Sequence, residues 1–183
     1  NGNGIDFSGS NSTIAMNTFT GIENGTALTI GGSNNVVHSN YFQAGGDQQI
    51  SALINTGTSN SLYYNTVRLD SSDMDSVVYQ DTSGSGTTGK NNLFSNQGGG
   101  PALSVTSNSH ILDYNNYHSS GSILGWIDGG SVADLVELQS TLGGNGSSLS
   151  IDPAFIGILD PYRFKFPITN KRININSTTF FLR

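Results

Sequence analysis

Ile14-Ala15-Met16-Asn17-Thr18-Phe19 returns four more times along the chain. The later copies are Val37-His38-Ser39-Asn40-Tyr41-Phe42, Leu62-Tyr63-Tyr64-Asn65-Thr66-Val67, a degenerate Gly89-Lys90-Asn91-Asn92-Leu93-Phe94, and Leu112-Asp113-Tyr114-Asn115-Asn116-Tyr117. The phrase reads apolar, any, apolar or small, Asn, any, aromatic or Val. Its asparagines stand 23, 25, 27 and 23 residues apart. Self-similarity at such a period marks a solenoid, in which each repeat is one supersecondary unit stacked on the next.

A second series keeps step with the first. Ile5, Leu28, Leu53, Val78 and Leu103 each open a β-type run, at spacings of 23, 25, 25 and 25. Leucine-rich repeats share the period but need Leu-x-x-Leu-x-Leu and usually a helical segment, and neither is present. β-Branched and aromatic residues alternate over three or four positions between clusters of Gly, Ser, Asn and Asp, which is the pattern of short strands and turns. Each repeat is therefore expected to be one coil of a parallel β-helix. Stacked about 4.8 Å apart, the asparagines would form a ladder, each amide bonded to the next as in cross-β stacks. A buried amide without that partner would cost roughly 1–3 kcal/mol.

The repeat, with its Gly32-Ser33-Asn34 and Gly57-Thr58-Ser59-Asn60 turns, resembles the right-handed parallel β-helix repeats of the pectate-lyase-like superfamily, over residues 4–120. The resemblance implies an all-β, right-handed parallel β-helix solenoid of about five coils, of bacterial secreted type and located outside the cell or at its surface. It does not imply one activity, since the superfamily holds lyases, hydrolases, epimerases and non-catalytic adhesins.

The 183 residues suffice for one domain, and 24 are Gly. Only 11% are charged, yet apolar residues recur in register, which argues against disorder. A net charge of −6 argues against nucleic acid as a partner. No run of 18 apolar residues would place the chain in a membrane, and no cysteine offers a disulfide framework. The missing initiator Met at Asn1 and an uncapped first coil give the expectation of a piece cut from a larger chain, monomeric within it. Four Asn-x-Ser/Thr sequons, at Asn11, Asn24, Asn145 and Asn176, are what chance supplies in a chain this rich in those residues.

The coils are expected over 1–120, followed by a cap over 121–160. Within the cap, Ser131 as N-cap, Leu135, Leu138 and Leu142 at helical spacing, and Gly143-Gly144 as a stop predict a short helix over 131–142. Residues 161–183 read as a basic, divergent tail. Arg163, Lys165, Lys171, Arg172 and Arg183 are five of the seven cations of the chain.

Candidate chemistry follows from the ladder used as a ruler. Two residues before each Asn, strand alternation points Ala15, His38, Tyr63, Lys90 and Asp113 outward. His38, Tyr63 and Lys90 would then meet a polysaccharide or cell-surface glycan, Tyr63 as stacking surface and its neighbours as hydrogen-bonding groups. Three residues after each Asn, Thr20, Gln43, Arg68, Ser95 and His118 form a second outward row. The turns beyond hold Glu23, Asp47, Asp70, Asp73 and Asp75. Oxygen ligands from stacked turns suit Ca²⁺, so Asp47, Asp70, Asp73 and Asp75 are its candidate ligands, although Asp70-x-x-Asp73-x-Asp75 lacks the Gly and Glu of an EF-hand loop. The resemblance implies, for a lyase, calcium neutralising a uronate while Arg or Lys removes a proton; Arg68 is the nearest basic candidate, with Lys90 second, and the catalytic edge would be Arg68, Asp70 and Asp73.

Other templates fit less well. Gly84-Ser-Gly-Thr-Thr-Gly89-Lys90-Asn91 imitates a phosphate loop but lacks Ser or Thr after Lys and a helix to follow. No Gly-x-Ser-x-Gly or His-Glu-x-x-His occurs, and His38, His110 and His118 have no zinc spacing. The expected role is a non-catalytic carbohydrate-contacting or structural domain needing no cofactor, with a polysaccharide lyase or glycoside hydrolase as the alternative.

Overall fold

The computed structural model describes residues 4–83 and 86–155. By its internal contacts the chain divides into Asn1–Asp152 and Pro153–Arg183, and the strands and the helix all lie in the first unit. The basic tail lies outside the described residues. The fold is a parallel β-solenoid of about five turns with three sheets along its length.

One sheet, here called the long sheet, contains β1 (Ile5–Phe7), β4 (Leu28–Ile30), β7 (Ser51–Asn55), β10 (Val77–Asp81), β13 (Leu103–Val105) and β16 (Gly125–Ile127), all parallel. The second sheet, the narrow one, stacks five strands of three residues: β2 (Thr13–Ala15), β5 (Val36–His38), β8 (Ser61–Tyr63), β11 (Thr88–Lys90) and β14 (Ile111–Asp113). The third stacks β3 (Thr18–Glu23), β6 (Tyr41–Gly46), β9 (Thr66–Ser71), β12 (Leu93–Asn96) and β15 (Asn116–Ser119). The glycine-rich stretch before Lys90 thus leads into strands, not into the helix that a phosphate loop needs.

The repeated phrase makes the corner between the narrow and third sheets. Its first residue points inward, as Val37 and Leu62 do with no exposure. Its third residue, Met16, Ser39, Tyr64, Asn91 or Tyr114, adopts a left-handed φ of 55–58° in every coil. That residue turns the chain and projects outward: Met16 is 82% exposed and Tyr64 64%. The asparagine that follows pays back the corner's lost backbone pairing. Asn40 donates its backbone N–H and its Nδ2 to Asn65 Oδ1 at 3.1 and 3.0 Å, and Asn65 does the same to Asn92 at 2.9 and 3.0 Å. The second Nδ2 proton of Asn65 goes to the Val37 carbonyl at 2.8 Å. Asn17 begins this ladder, and Ser148 Oγ ends it by accepting the Asn115 N–H at 3.1 Å.

A second polar column turns the preceding corner. Asn11, Asn34, Ser59 and Gly86 take positive φ there, and Ser12, Asn35, Asn60 and Thr87 follow them. Ser12 N–H donates to Asn35 Oδ1 at 3.0 Å, and Asn35 N–H to Asn60 Oδ1 at 2.8 Å. The first four of the narrow sheet's three-residue strands are therefore both entered and left through a positive-φ corner.

The aromatic end of the phrase fills the interior. Phe19 stacks on Phe42 with ring centroids 4.8 Å apart, and Phe94 on Tyr117 at 5.8 Å. In the long sheet, Ile5, Leu28, Leu53, Tyr79 and Leu103 pair in register. The fourth marker is thus Tyr79, one residue beyond the expected Val78. Its ring reaches the core and stacks on Phe94 at 5.2 Å.

Tyr79 also opens a buried polar cluster. Its hydroxyl donates to Asp81 Oδ2 at 2.6 Å, Asn55 Nδ2 donates to the same oxygen at 3.1 Å, and Ser83 donates to Oδ1. His110 faces Asp81 Oδ2 at 3.8 Å, and neither ring nitrogen has a hydrogen bond. Burial pushes the Asp81 carboxyl up, but donors from Ser83, Tyr79, Asn55 and Thr87 outweigh it and hold the group below the ordinary 3.8. A carboxyl depressed in the folded state stabilises the fold above its unfolded pKa and ceases to do so as pH falls through the folded value. Asp81→Asn should therefore lower urea-unfolding stability by about 2–3 kcal/mol at pH 7, and the gap to the native chain should narrow below pH 4. A constant gap between pH 7 and pH 3 would show that the carboxylate charge does not matter there.

At its C-terminal end the solenoid is covered. β17 (Gly130–Val132) folds back antiparallel on β16 through Asp128-Gly129, and α1 (Leu135–Leu142) buries Leu138 and Leu142. Ser131 is a strand residue, not the N-cap. Asp134 caps the helix, its Oδ1 accepting the Glu137 N–H at 3.0 Å, while Glu137 Oε2 accepts from Ala133 N–H. The helix starts four residues later than expected because the β16–β17 hairpin claims the intervening backbone. Among the described residues no helix is long and apolar enough to cross a membrane.

Candidate functional site

The expected glycan-contacting row exists as a row. His38, Tyr63, Lys90 and Asp113 are register partners on the outward face of the narrow sheet, each half-exposed. With one outward residue per three-residue strand, this face is a ridge one side chain wide. His38 Nδ1 lies 3.2 Å from Ser39 Oγ, and Asp113 Oδ1 accepts the Ser147 N–H at 3.0 Å.

The third sheet aligns Gln43, Arg68, Ser95 and His118. Arg68 Nε meets Asp70 Oδ2 at 2.8 Å, so the structure brings together two of the three residues of the lyase alternative. Asp73 lies in the turn beyond, where its Oδ1 accepts the Asp75 N–H at 2.8 Å. Asp47 and Asp75 are exposed on the same line of turns. Among the described residues no three His, Asp or Glu side chains gather around a point where one metal ion would reach them all. Further along, Ser95 Oγ lies 3.1 Å from His118 Nδ1 and accepts from Gln97 Nε2 at 2.8 Å. Burial lowers the pKa of His118, and Asp152, 3.9 Å away, acts in the opposite direction.

The concave surface lies elsewhere, on the long sheet. Asp6, Thr29, Ile54, Gln80, Ser104 and Trp126 form its outward column, one residue from each coil. A groove of about 550 Å³ runs over Ile54, Gln80, Ser104 and Trp126. Its side wall comes from the turns entering the sheet, with Thr26 before β4, Gln49 before β7 and Asp75 before β10, and from Ser51 at the start of β7. Ser51 Oγ donates to Gln80 Oε1 at 2.8 Å, which ties wall to floor, and Gln49 Nε2 donates to the Asp75 carbonyl at 3.4 Å within the wall.

Four successive strands and the wall beside them thus present amides, hydroxyls, a short apolar strip and, at one end, the only indole of the chain. Small sets of fixed polar groups around an apolar surface are what bind hydroxylated ligands, and an indole offers both a flat apolar face and an N–H donor. Sequence reading passed over this column because the ladder, its ruler, lies on the far side of each coil. The usable signal was the second marker series: the residue after each marker faces outward, and Trp126 stands 22 residues beyond Ser104.

Compared with known proteins, the chain matches no family, and no curated protein or solved structure is similar enough to lend it an activity.

Proposed function

We propose that this solenoid is a non-catalytic, carbohydrate-contacting module that works at or outside the cell surface. The observation that carries the reading is the groove on the long sheet, where one side chain per coil lines a straight trough ending at Trp126. Coils about 4.8 Å apart repeat at a spacing close to that of successive units in an extended polysaccharide. A chain lying along the solenoid axis would meet an equivalent polar position at every step, and the rigid sheet would lose little entropy on binding it. No metal or cofactor has a role in this contact.

The test is retention on a panel of immobilised neutral and uronate polysaccharides, with and without calcium. Reducing ends and the ultraviolet absorbance of unsaturated products are followed in parallel. Retention on at least one polymer without new ends is expected. Calcium-dependent product that disappears in Arg68→Ala would establish the lyase alternative instead. Tyr63→Ala should leave retention unchanged; a tenfold loss would move the contact to the His38–Tyr63–Lys90 ridge.

A further inference from the structure

We infer that the groove selects an uncharged polysaccharide and rejects a polyuronate; the inference rests on the reading of that groove as the glycan-contacting surface. Every polar group that lines it is neutral except Asp75: Thr26, Gln49, Ser51, Gln80 and Ser104 offer hydroxyls and amides. Asp75 is exposed on the wall. The turns that build this wall also carry exposed Asp47 and half-exposed Asp73, and exposed Glu23 ends β3 just before the first of them.

The cations are placed on other faces. Among the described residues they are Arg68 and Lys90 alone. Arg68 belongs to the third sheet and is engaged by Asp70 at 2.8 Å, while Lys90 stands on the narrow sheet. A uronate placed in the groove would find no described cation to pair with and would meet the Asp75 carboxylate on the wall itself, well inside a Debye length of about 8 Å at physiological salt. Like charges facing one another across an interface oppose binding. A neutral polymer keeps the hydroxyl contacts and the indole face and avoids the repulsion.

The experiment starts from the neutral polymer that the full chain retains, and compares it with the same polymer oxidised at C6 to carboxylates, by calorimetry at low salt and at about 150 mM salt. The oxidised form should bind at least tenfold more weakly, with the difference largest at low salt. Asp75→Lys should raise the affinity for the oxidised form at least tenfold relative to that for the neutral polymer. Equal or tighter binding of the oxidised polymer, lost in Trp126→Ala, would overturn the selectivity while keeping the groove as the site. Retention of no polymer, or binding indifferent to Trp126→Ala, would overturn the groove reading and this inference with it.

Discussion

Asn65→Leu should lower the unfolding stability by about 3–5 kcal/mol, from two or three buried polar groups left without partners at roughly 1–3 kcal/mol each. Leucine has the branched shape and heavy-atom count of the Asn side chain but no polar atoms. The Asn40 backbone N–H and Nδ2 would lose their shared acceptor, and the Val37 carbonyl would lose its donor. All three lie inside the solenoid, where water cannot replace Asn65. The corner also depends on the amide, because Tyr64 holds a left-handed φ of 55° that is unfavourable for an L-residue and must be fixed by its surroundings. Asn17→Leu is the internal control. Asn17 is exposed and starts the ladder, so its loss should cost about 1 kcal/mol or less. Urea unfolding of the two variants reads the difference directly; equal costs would mean that stacking of the amides adds nothing to their role as turn residues.

Trp126→Ala should weaken binding of the retained neutral polymer between tenfold and a hundredfold, about 1.4–2.8 kcal/mol, as loss of an aromatic anchor does elsewhere. Trp126 points outward from β16, while its neighbours Gly125 and Ile127 face the interior. The melting temperature should accordingly move by only a few degrees, and Trp126→Phe should restore most of the affinity by returning a flat apolar face. Because the chain has a single Trp, its fluorescence reports on the groove without labelling. Saturating neutral polymer should shift or quench the emission. Retention of polymer with no change in emission would place the contact on another face.

These two expectations differ in how far the sequence alone could support them. The ladder is written in the chain: five Asn at nearly constant period, each two residues before a bulky side chain, specify which residues stack and which face inward. The second column, Ser12, Asn35, Asn60 and Thr87, was equally present five residues before the first, but its first and last members are not Asn and the pattern does not stand out. The positive φ at Met16, Tyr64 and Tyr114 was hidden for another reason. Nothing in a Met or Tyr signals a left-handed corner, which is imposed by the hydrogen bonds on either side of it.

The cap shows the same division. Leucines at helical spacing and Gly143 located a helix, but its start depended on a competition between Ser131 as N-cap and Ser131 as a strand residue. Pairing of β17 with β16 decides that competition, and pairing is a long-range event that local propensity does not encode.

By itself, then, the sequence determined the repeat, the number of turns, the inward set and the buried amides, because each is a periodic property of neighbouring residues and period survives in one dimension. Only the tertiary structure decided which outward row becomes concave. His38, Tyr63 and Lys90 align as well as Thr29, Ile54, Gln80, Ser104 and Trp126 do. What separates them is the turn beside the long sheet, which brings Gln49 and Asp75 up as a wall, whereas strands of the narrow sheet such as β8 are bounded by corners turned on single positive-φ residues, Ser59 and Tyr64.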